Sequence, residues 1–562
     1  MILLSPLLML VEVAMDLVQP RLMQRIVDVG IARLHMAVVV RTGLLMVGLA
    51  LVGFLGGAGN TVFAVEVSQG FGADLRRELF RKVQSLSFGN LDDLGTGQLV
   101  TRLTNDVTQV QESVLIMLRI LVRAPLMLTG SIFMAVITSP KLSFLLLILG
   151  PLVVMVLAWA FKRANPLFTG VQSRLDRLNT VMQENLAGIR LIRAFVRKDH
   201  EIHRFGEVND NLMDQTIRAV RTLAVVMPFM MLALNLGIVG VIWFGGLQVM
   251  KGTLKAGQIM AFVNYILHML FSLIMVSMLL IRVSRAEASA GRIMEILNKE
   301  PEVTDRPDAV DIFSPRGKVV FEHVCFNYNG NSQGLRDINF TVEPGQTVAI
   351  IGATGSGKSS LVHLLPRFYD ATEGRVMIDG VDVRDIKQES LRKHISITLQ
   401  EAILFSGTIR ENICYGRPEA TEEEIIEAAR AAQAHEFITE FPAGYDTVLG
   451  ERGINLSGGQ KQRLALARAI ITKPSILILD DSTSAVDIET EANIHDALIK
   501  FIKGCTCFII TQRLGTVLRA DKILVLDNGT VTNEGTHQEL LILSPIYREI
   551  YESQLGNGAN FV

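Results

Sequence analysis

The chain has 562 residues, too many for one hydrophobic core, so at least two domains are expected. Hydrophobic residues make up 49% and the mean hydropathy is +0.36, values that argue against a wholly soluble protein. Lys and Arg number 54 against 56 Asp and Glu, a balance that offers no basic surface for nucleic acid. The four cysteines, Cys325, Cys414, Cys505 and Cys507, make no CxxC pair or metal-like cluster and fit a reduced cytosolic setting.

Apolarity is concentrated before about residue 285. Six runs, about 1–28, 37–65, 114–137, 141–161, 222–247 and 256–282, are long enough for membrane helices, which need roughly 20 apolar residues. The first starts at Met1 without a charged flank and reads as a shortened span, not a signal peptide. Two long polar segments, 71–105 and 162–221, carry most of the basic residues of this half, among them Arg76, Arg81, Arg102, Arg174 and Arg193. The positive-inside rule therefore places both in the cytoplasm, although the connection around Arg21–Arg41 fits it less cleanly. Their mixed apolar and charged pattern predicts helices that continue well past the bilayer.

Charges inside the apolar runs carry information because burying them is costly. Glu12 and Asp16 are four residues apart and share one helix face. A cavity lined by them would favour cationic amphiphiles, whereas pairing with Arg21 or Arg25 would make them structural. Arg119 and Arg123 are expected at the inner bilayer boundary, where they need not touch substrate. The methionines and phenylalanines of VVMPFMMLALN and MLFSLIMVSM suit either a pocket for varied hydrophobic molecules or contact with lipid.

The stretch NKEPEVTDRPDAVDIFSPRGK, with three prolines and several acids, is a linker by composition. It separates a membrane domain, 1–297, from an α/β domain, 317–555, with the linker proper at 298–316 and a tail at 556–562. Within the second domain TVAIIGATGSGKSS runs from an apolar strand through Gly352, Gly357, Lys358 and Ser359 into a helix. Such a loop, which here also holds Thr354, Gly355, Ser356 and Ser360, wraps phosphate with backbone N–H groups that glycine lets approach closely. Lys358 would reach the β- and γ-phosphates and Ser359 would ligate magnesium. Further on, Leu456, Ser457, Gly458, Gly459 and Gln460 open another helix, and SILILD ends in Asp480, placed to hold magnesium through water.

LSGGQ between a P-loop and an acidic strand end, after six apolar runs and a linker, resembles an ABC exporter half-transporter over essentially the whole chain. The resemblance implies a multidomain protein of the bacterial inner membrane that uses ATP and Mg2+. Its fold would be a six-helix α-helical transmembrane domain with long cytoplasmic helical extensions, followed by a cytoplasmic α/β P-loop ABC ATPase domain. It also implies that Tyr328 stacks on adenine and that Gln400 senses magnesium and the membrane domain. Gly450, Glu451, Arg452 and Gly453 match an exporter-specific loop, and Ser484, Ala485, Val486 and Asp487 match the loop that crosses to a partner's site. FGADLRRELFRKVQSLSFGNLDDLGTGQLVTRLTNDV and GIRLIRAFVRKDHEIHRF resemble the two cytoplasmic coupling segments, the second of which docks on the opposite nucleotide domain. The family's amphipathic elbow helix ahead of the first span is not found, which leaves Met1 in doubt as the native start.

Two positions depart from the family pattern. Asp481 stands where the general base is glutamate, and Gln512 stands where a histidine contacts the γ-phosphate. Aspartate is one methylene shorter, and a misplacement of about 1 Å can cost on the order of a hundredfold in rate. Glutamine donates a hydrogen bond but carries neither proton nor positive charge. With Ser359, Gln400 and Asp480 present as magnesium residues and the signature intact, the resemblance is to the degenerate-site subunit of heterodimeric multidrug exporters. The expected partner is a homologous half-transporter with Glu and His in place. The expected substrate is a hydrophobic small molecule taken up among membrane lipid. Two alternatives are an ATP-gated regulatory subunit without pumping and a lipid or lipopeptide exporter.

Overall fold

The computed structural model describes residues 3–311, 314–328, 334–501 and 504–555. The expected tail at 556–562, Met1 and two linker residues, 312 and 313, lie outside the described residues. The chain divides into two compact units, one of residues up to Gln84 with Gly97–Asn298, the other of Ser85–Thr96 with Lys299 onward.

The first unit is helical throughout. Among the described residues, five helices are long and apolar enough to cross a membrane: Met36–Ser85, Thr96–Thr138, Phe144–Ala187, Lys198–Met250 and Ala256–Val276. The expected count was six. The remaining run forms the 22-residue helix Leu4–Arg25, which carries Glu12, Asp16 and Arg21 and so falls short of a simple apolar span. Met36–Ser85 has 50 residues, about 75 Å of helix against a hydrocarbon core of about 30 Å. The extension beyond the bilayer is therefore one continuous helix with its span.

Small residues set how closely these helices pack. The buried positions of Met36–Ser85 include Gly53, Gly56, Asn60, Ala64, Ser68 and Gly72, spaced three or four apart. A Cβ on Gly56 would lie 3.0 Å from the backbone oxygen of Leu8, and one on Gly53 would lie 3.2 Å from Met15 Cβ. In hydrocarbon, where apolar burial gives no net drive between helices, such close backbone approach supplies the dispersion contact that holds them. Three short π-helical segments, Ile26–Ile31, Arg102–Asp106 and Met117–Leu121, interrupt the α-helices. Nothing in the apolar pattern announces them.

In the second unit, a six-stranded sheet has the spatial order Thr530–Gly535, Lys522–Asp527, Thr347–Gly352, Thr506–Ile510, Ile476–Asp480, Ile395–Thr398. All neighbours pair in parallel except the first two. Strands such as Ile476–Asp480 are buried at every position, the pattern of a parallel sheet covered on both faces. Register matters most: Ile510 lies opposite both Ile350 and Asp480, so two strands end at one level and Thr347–Gly352 runs two residues beyond it. Ligands of open parallel sheets bind beyond such carboxyl ends. A four-stranded antiparallel sheet, including Val319–Phe326 and Leu335–Val342, flanks it. A helical subdomain packs around Ile409, Ile425, Phe437 and Leu464.

The same unit claims Ser85–Thr96 from the middle of the membrane half. Ser87 caps the helix Phe88–Leu94 through a reciprocal box with Asn90. Phe88 stacks on Phe368 at 4.1 Å between centroids, and the Tyr369 hydroxyl donates to Asp92 at 2.5 Å. Asn90 donates to Glu302 at 3.0 Å, and the Ser87 hydroxyl accepts from the backbone N–H of Val303 at 2.9 Å.

Candidate functional site

A cavity of about 340 Å³ opens beyond the level strand ends and is lined by Tyr328, Thr354, Gly355, Gly357, Lys358, Ser359, Ser360, Gln400, Asp480, Asp481 and Gln512, with Ile510 as its apolar floor. Residues read as separate motifs over almost two hundred positions of chain thus meet in one place. Gly352 and Ser356 belong to the loop but not to the lining. Gly352 turns the chain at φ 153°, and a Cβ there would lie 2.1 Å from Leu526 O. Ser356 is buried beneath the loop, where its carbonyl accepts from Gly529 N–H at 3.1 Å.

The Lys358 ammonium donates to Gly352 O at 2.9 Å and Ala353 O at 2.8 Å, within the loop. Burial holds its pKa below the ordinary lysine value, opposed by the nearby Asp480 and Asp481 charges. Asp480 is buried, and burial raises its carboxyl above the usual range, while the Ser359 hydroxyl, donating to it, works the other way. Burial likewise raises Asp481, with Arg513 and Lys358 as the opposing charges. Asp481 also sits in the left-handed region at φ 47°, its N–H donating to Ile510 O at 3.0 Å. That conformation is uncommon for residues other than glycine, and aspartate is among the few that tolerate it.

Tyr328 donates to Ser360 at 3.2 Å and meets the Tyr369 ring edge-on at 5.2 Å, leaving one face of the phenol ring open beside the cavity. Ser359, Gln400 and Asp480 bring hydroxyl, amide and carboxylate oxygens to the same wall. That hard-oxygen set suits magnesium, which keeps several waters and takes few protein ligands.

The signature residues stand elsewhere. Leu456 is buried as an anchor, while Ser457 and Gly458 are exposed. Ser457 caps the helix Gly458–Ile470 in a box with Gln460, accepting from Gln460 N–H at 3.3 Å. None of Leu456–Gln460 lines the cavity beside Lys358. Instead they are locked to Ser484–Asp487. Gln462 donates to Ser484 Oγ at 3.0 Å and accepts from Ala485 N–H at 2.9 Å, and a Cβ on Gly459 would lie 2.8 Å from Ala485 O.

Sequence reasoning missed the residues that brace this corner. Arg513, next to Gln512, donates to Val486 O and Ser484 O, both at 2.8 Å, and to Glu491 at 2.5 Å. Buried Glu491 accepts in turn from Thr483 and Thr516. Gln554, from the last described helix, donates to Gln512 O at 2.5 Å. The only prior signal was an acid three residues into a helix, too common to read.

A second charged site lies in the helical unit. A cavity of about 1060 Å³ is lined by Glu12, Asp16, Asn60, Arg119 and Arg123, with Met9, Met15, Phe54 and Met275 among its apolar wall. The alternative pairing of Glu12 and Asp16 with Arg21 or Arg25 is not what forms. Arg123 takes both, at 2.5 Å to Glu12 Oε1 and 3.1 Å to Asp16 Oδ2. Nor does Arg123 stand clear of the cavity. The reason is reach: helix packing brings the third apolar run against the first, and one guanidinium spans two carboxylates a turn apart.

The family description "ABC transporter transmembrane region" matches residues 2–273, and "ABC transporter" matches residues 335–484. The chain is 44% identical over 550 residues to the uncharacterized ABC transporter ATP-binding protein YfiB of Bacillus subtilis (strain 168), covering 98% of this chain and 95% of that one. This chain belongs to the ABC transporter family. Among other relatives of this ABC transporter, the ATP-dependent lipid A-core flippase of Syntrophus aciditrophicus (strain SB) is 37% identical, with 87% of this chain and 81% of that one covered. The putative multidrug export ATP-binding/permease protein YgaD of Bacillus subtilis (strain 168) is 39% identical, with 86% and 83% covered. The solved structure of a bacterial Atm1-family ABC exporter with ATP bound superposes with a TM-score of 0.82 at 26% identity, covering 99% of this chain and 98% of that one. One membrane domain and one ATPase domain are fused, as in a half-transporter exporter of that type. It is a multi-pass membrane protein whose ATPase domain lies in the cytoplasm.

Proposed function

We propose that this ABC transporter is one half of a heterodimeric exporter of amphiphilic compounds, and that its own ATP site turns over slowly. The observation that carries this reading is the pairing of Asp481 with Gln512 in the lining of the 340 Å³ cavity. The binding parts, Tyr328, the P-loop, Gln400 and Asp480, share that lining, so ATP retention and ATP cleavage part company within one cavity. ATP would be held by loop N–H groups and Lys358, with its adenine on Tyr328. Magnesium, carried by Ser359, Gln400 and Asp480, would neutralise the β- and γ-oxygens. The carboxylate of Asp481 starts one methylene further from an attacking water than glutamate would. Gln512 brings a donor without a charge.

The displaced signature gives the second half of the reading. Exposed Ser457 and Gly458 do not serve Lys358, so in this reading they close the partner's site, with Ser484–Asp487 crossing beside them. The partner supplies the catalytic Glu and His. A groove of about 980 Å³, whose walls include Leu399, Ala402 and Ile403, is the proposed seat for the partner's second coupling helix. This chain's own counterpart, Ile189–Ala194, exposes Leu191 and is followed by exposed Phe195 and Val196. The helix Leu4–Arg25 serves as the sixth span, its charges satisfied by Arg123. The multidrug and lipid A-core names of two relatives both describe movement of amphiphiles, which fits the large cavity with its methionine wall.

The test is ATP hydrolysis by this chain alone and with its partner. Hydrolysis near zero alone, robust together and lost with the partner's catalytic glutamate supports the reading. Asp481→Glu with Gln512→His should raise the chain's own turnover by about a hundredfold. Robust hydrolysis by the unaltered chain alone overturns it.

A further inference from the structure

Resting on the export reading, we propose that the 1060 Å³ membrane cavity recognises amphiphiles with a zwitterionic headgroup, an anionic oxygen beside an ammonium, rather than simple cations. Glu12, Asp16 and Arg123 form one hydrogen-bonded triad that keeps a net negative charge. Arg119 lines the same cavity, is exposed to it, and among the described residues makes no hydrogen bond or ion pair. The cavity thus presents a negative triad and a separate positive fork. A lone cation is repelled by Arg119, and a lone anion by the triad. A headgroup bearing both signs satisfies both.

A second observation is independent of charge. Asn60 lines the cavity and is almost fully buried; its Oδ1 accepts from Ser5 at 2.6 Å, while its Nδ2 has no partner among the described residues. A buried amide donor left unmade is costly, and a side-chain shift that opened Nδ2 to the cavity would let an anionic headgroup oxygen supply the acceptor it lacks. Depth fits the same ligand. Counting 1.5 Å per residue inward from the outer helix ends at Ile31 and Thr138, both Glu12 and Arg119 lie about 28 Å in. In a hydrocarbon core of about 30 Å they therefore sit at the cytoplasmic boundary, where inner-leaflet headgroups lie. Met9, Met15, Phe54 and Met275 supply apolar wall around this polar level, against which the start of the acyl chain would pack.

The test is equilibrium binding of chain-labelled lysolipids to the full-length chain, purified in lipid nanodiscs as it assembles in the membrane. Lysophosphatidylethanolamine should bind about tenfold tighter than a single-chain amine or lysophosphatidylglycerol of equal chain length, since a charge-assisted hydrogen bond is worth about that factor. Arg119→Gln should erase the preference over the single-chain amine while leaving lysophosphatidylglycerol the weaker binder, and Arg119→Lys should retain both preferences. Arg119 holds no other side chain, so its loss leaves the helix packing in place. Equal affinity across headgroups, or a preference over the single-chain amine that survives Arg119→Gln, overturns the proposal. Competition by glycerophosphoethanolamine as strong as by the lysolipid would move the site to free solutes and overturn the amphiphile. ATP-driven lipid movement is read separately in proteoliposomes. Headgroup-selective binding without movement supports this site and defeats the export reading alone.

Discussion

Two cavities in this ABC transporter each set one cation against two carboxylates, and they hold it in opposite ways. Lys358, in the ATPase domain, feels Asp480 and Asp481 but donates to two backbone carbonyls of its own loop. Arg123, in the membrane domain, spends both arms of its fork on Glu12 and Asp16. The lysine is a charge on a flexible stem that can exchange neutral carbonyls for phosphate. The arginine is a rivet between two helices. A site that must bind and release keeps its cation on weak neutral acceptors, and a site that must hold helices together saturates it.

Removing the rivet should have the largest effect. Arg123→Ala leaves two carboxylates without a countercharge in the membrane domain, at a cost on the order of 3 kcal/mol. Thermal unfolding of the purified protein should shift down accordingly. The triple variant Arg123→Leu, Glu12→Gln, Asp16→Asn should recover most of the loss. If the single and triple variants melt together, the loss comes from the missing inter-helix contact and not from the unpaired carboxylates.

The poised lysine should behave differently. Lys358→Ala should leave the melting temperature nearly unchanged without nucleotide but weaken ATP binding at this chain's site by about tenfold or more. Photolabelling of the chain with an azido-ATP analogue reads this directly. A large fall in stability without nucleotide would mean that the lysine is structural too, and the contrast with Arg123 would fail.

A smaller effect is expected from Arg513, which resembles the rivet in geometry but sits beside the exchanging site. Arg513→Ala frees Ser484 O, Val486 O and Glu491 together. In the proposed heterodimer, hydrolysis at the partner's site should fall severalfold, up to about tenfold, while ATP labelling at Lys358 persists. Equal loss of labelling and hydrolysis would place Arg513 with ATP retention instead of with the crossing loop.

The same contrast explains what was legible. The phosphate site rides on contiguous loops, so glycine, lysine and aspartate spacings in the sequence carry its chemistry, and strand register then brings the loops level. Asp481 and Gln512 stood out because each replaces a residue in a fixed frame. The membrane site rides on helix packing, and no local pattern tells Glu12 that its partner is Arg123, more than a hundred positions away. The small-residue stripe from Gly53 to Gly72 was readable only once its burial was known. The three π-helical segments and the Gln554 contact depend on tertiary fit and leave no periodic trace. The six-span expectation counted apolar length, which takes no account of a charged helix made tolerable by an arginine from another.

The Ser85–Thr96 segment carries a consequence for how the chain is tied together. Because it belongs to the same compact unit as the ATPase domain, the polypeptide passes between the two units three times, near Gln84, near Thr96 and after Asn298. The composition-defined linker is therefore one tether among three. A chain severed within it would keep the ATPase domain moored by the stacked rings of Phe88 and Phe368 and by the Tyr369–Asp92 bond. An ATPase domain expressed from Lys299 onward would instead leave Phe368 without its stacking partner and Tyr369 without its acceptor.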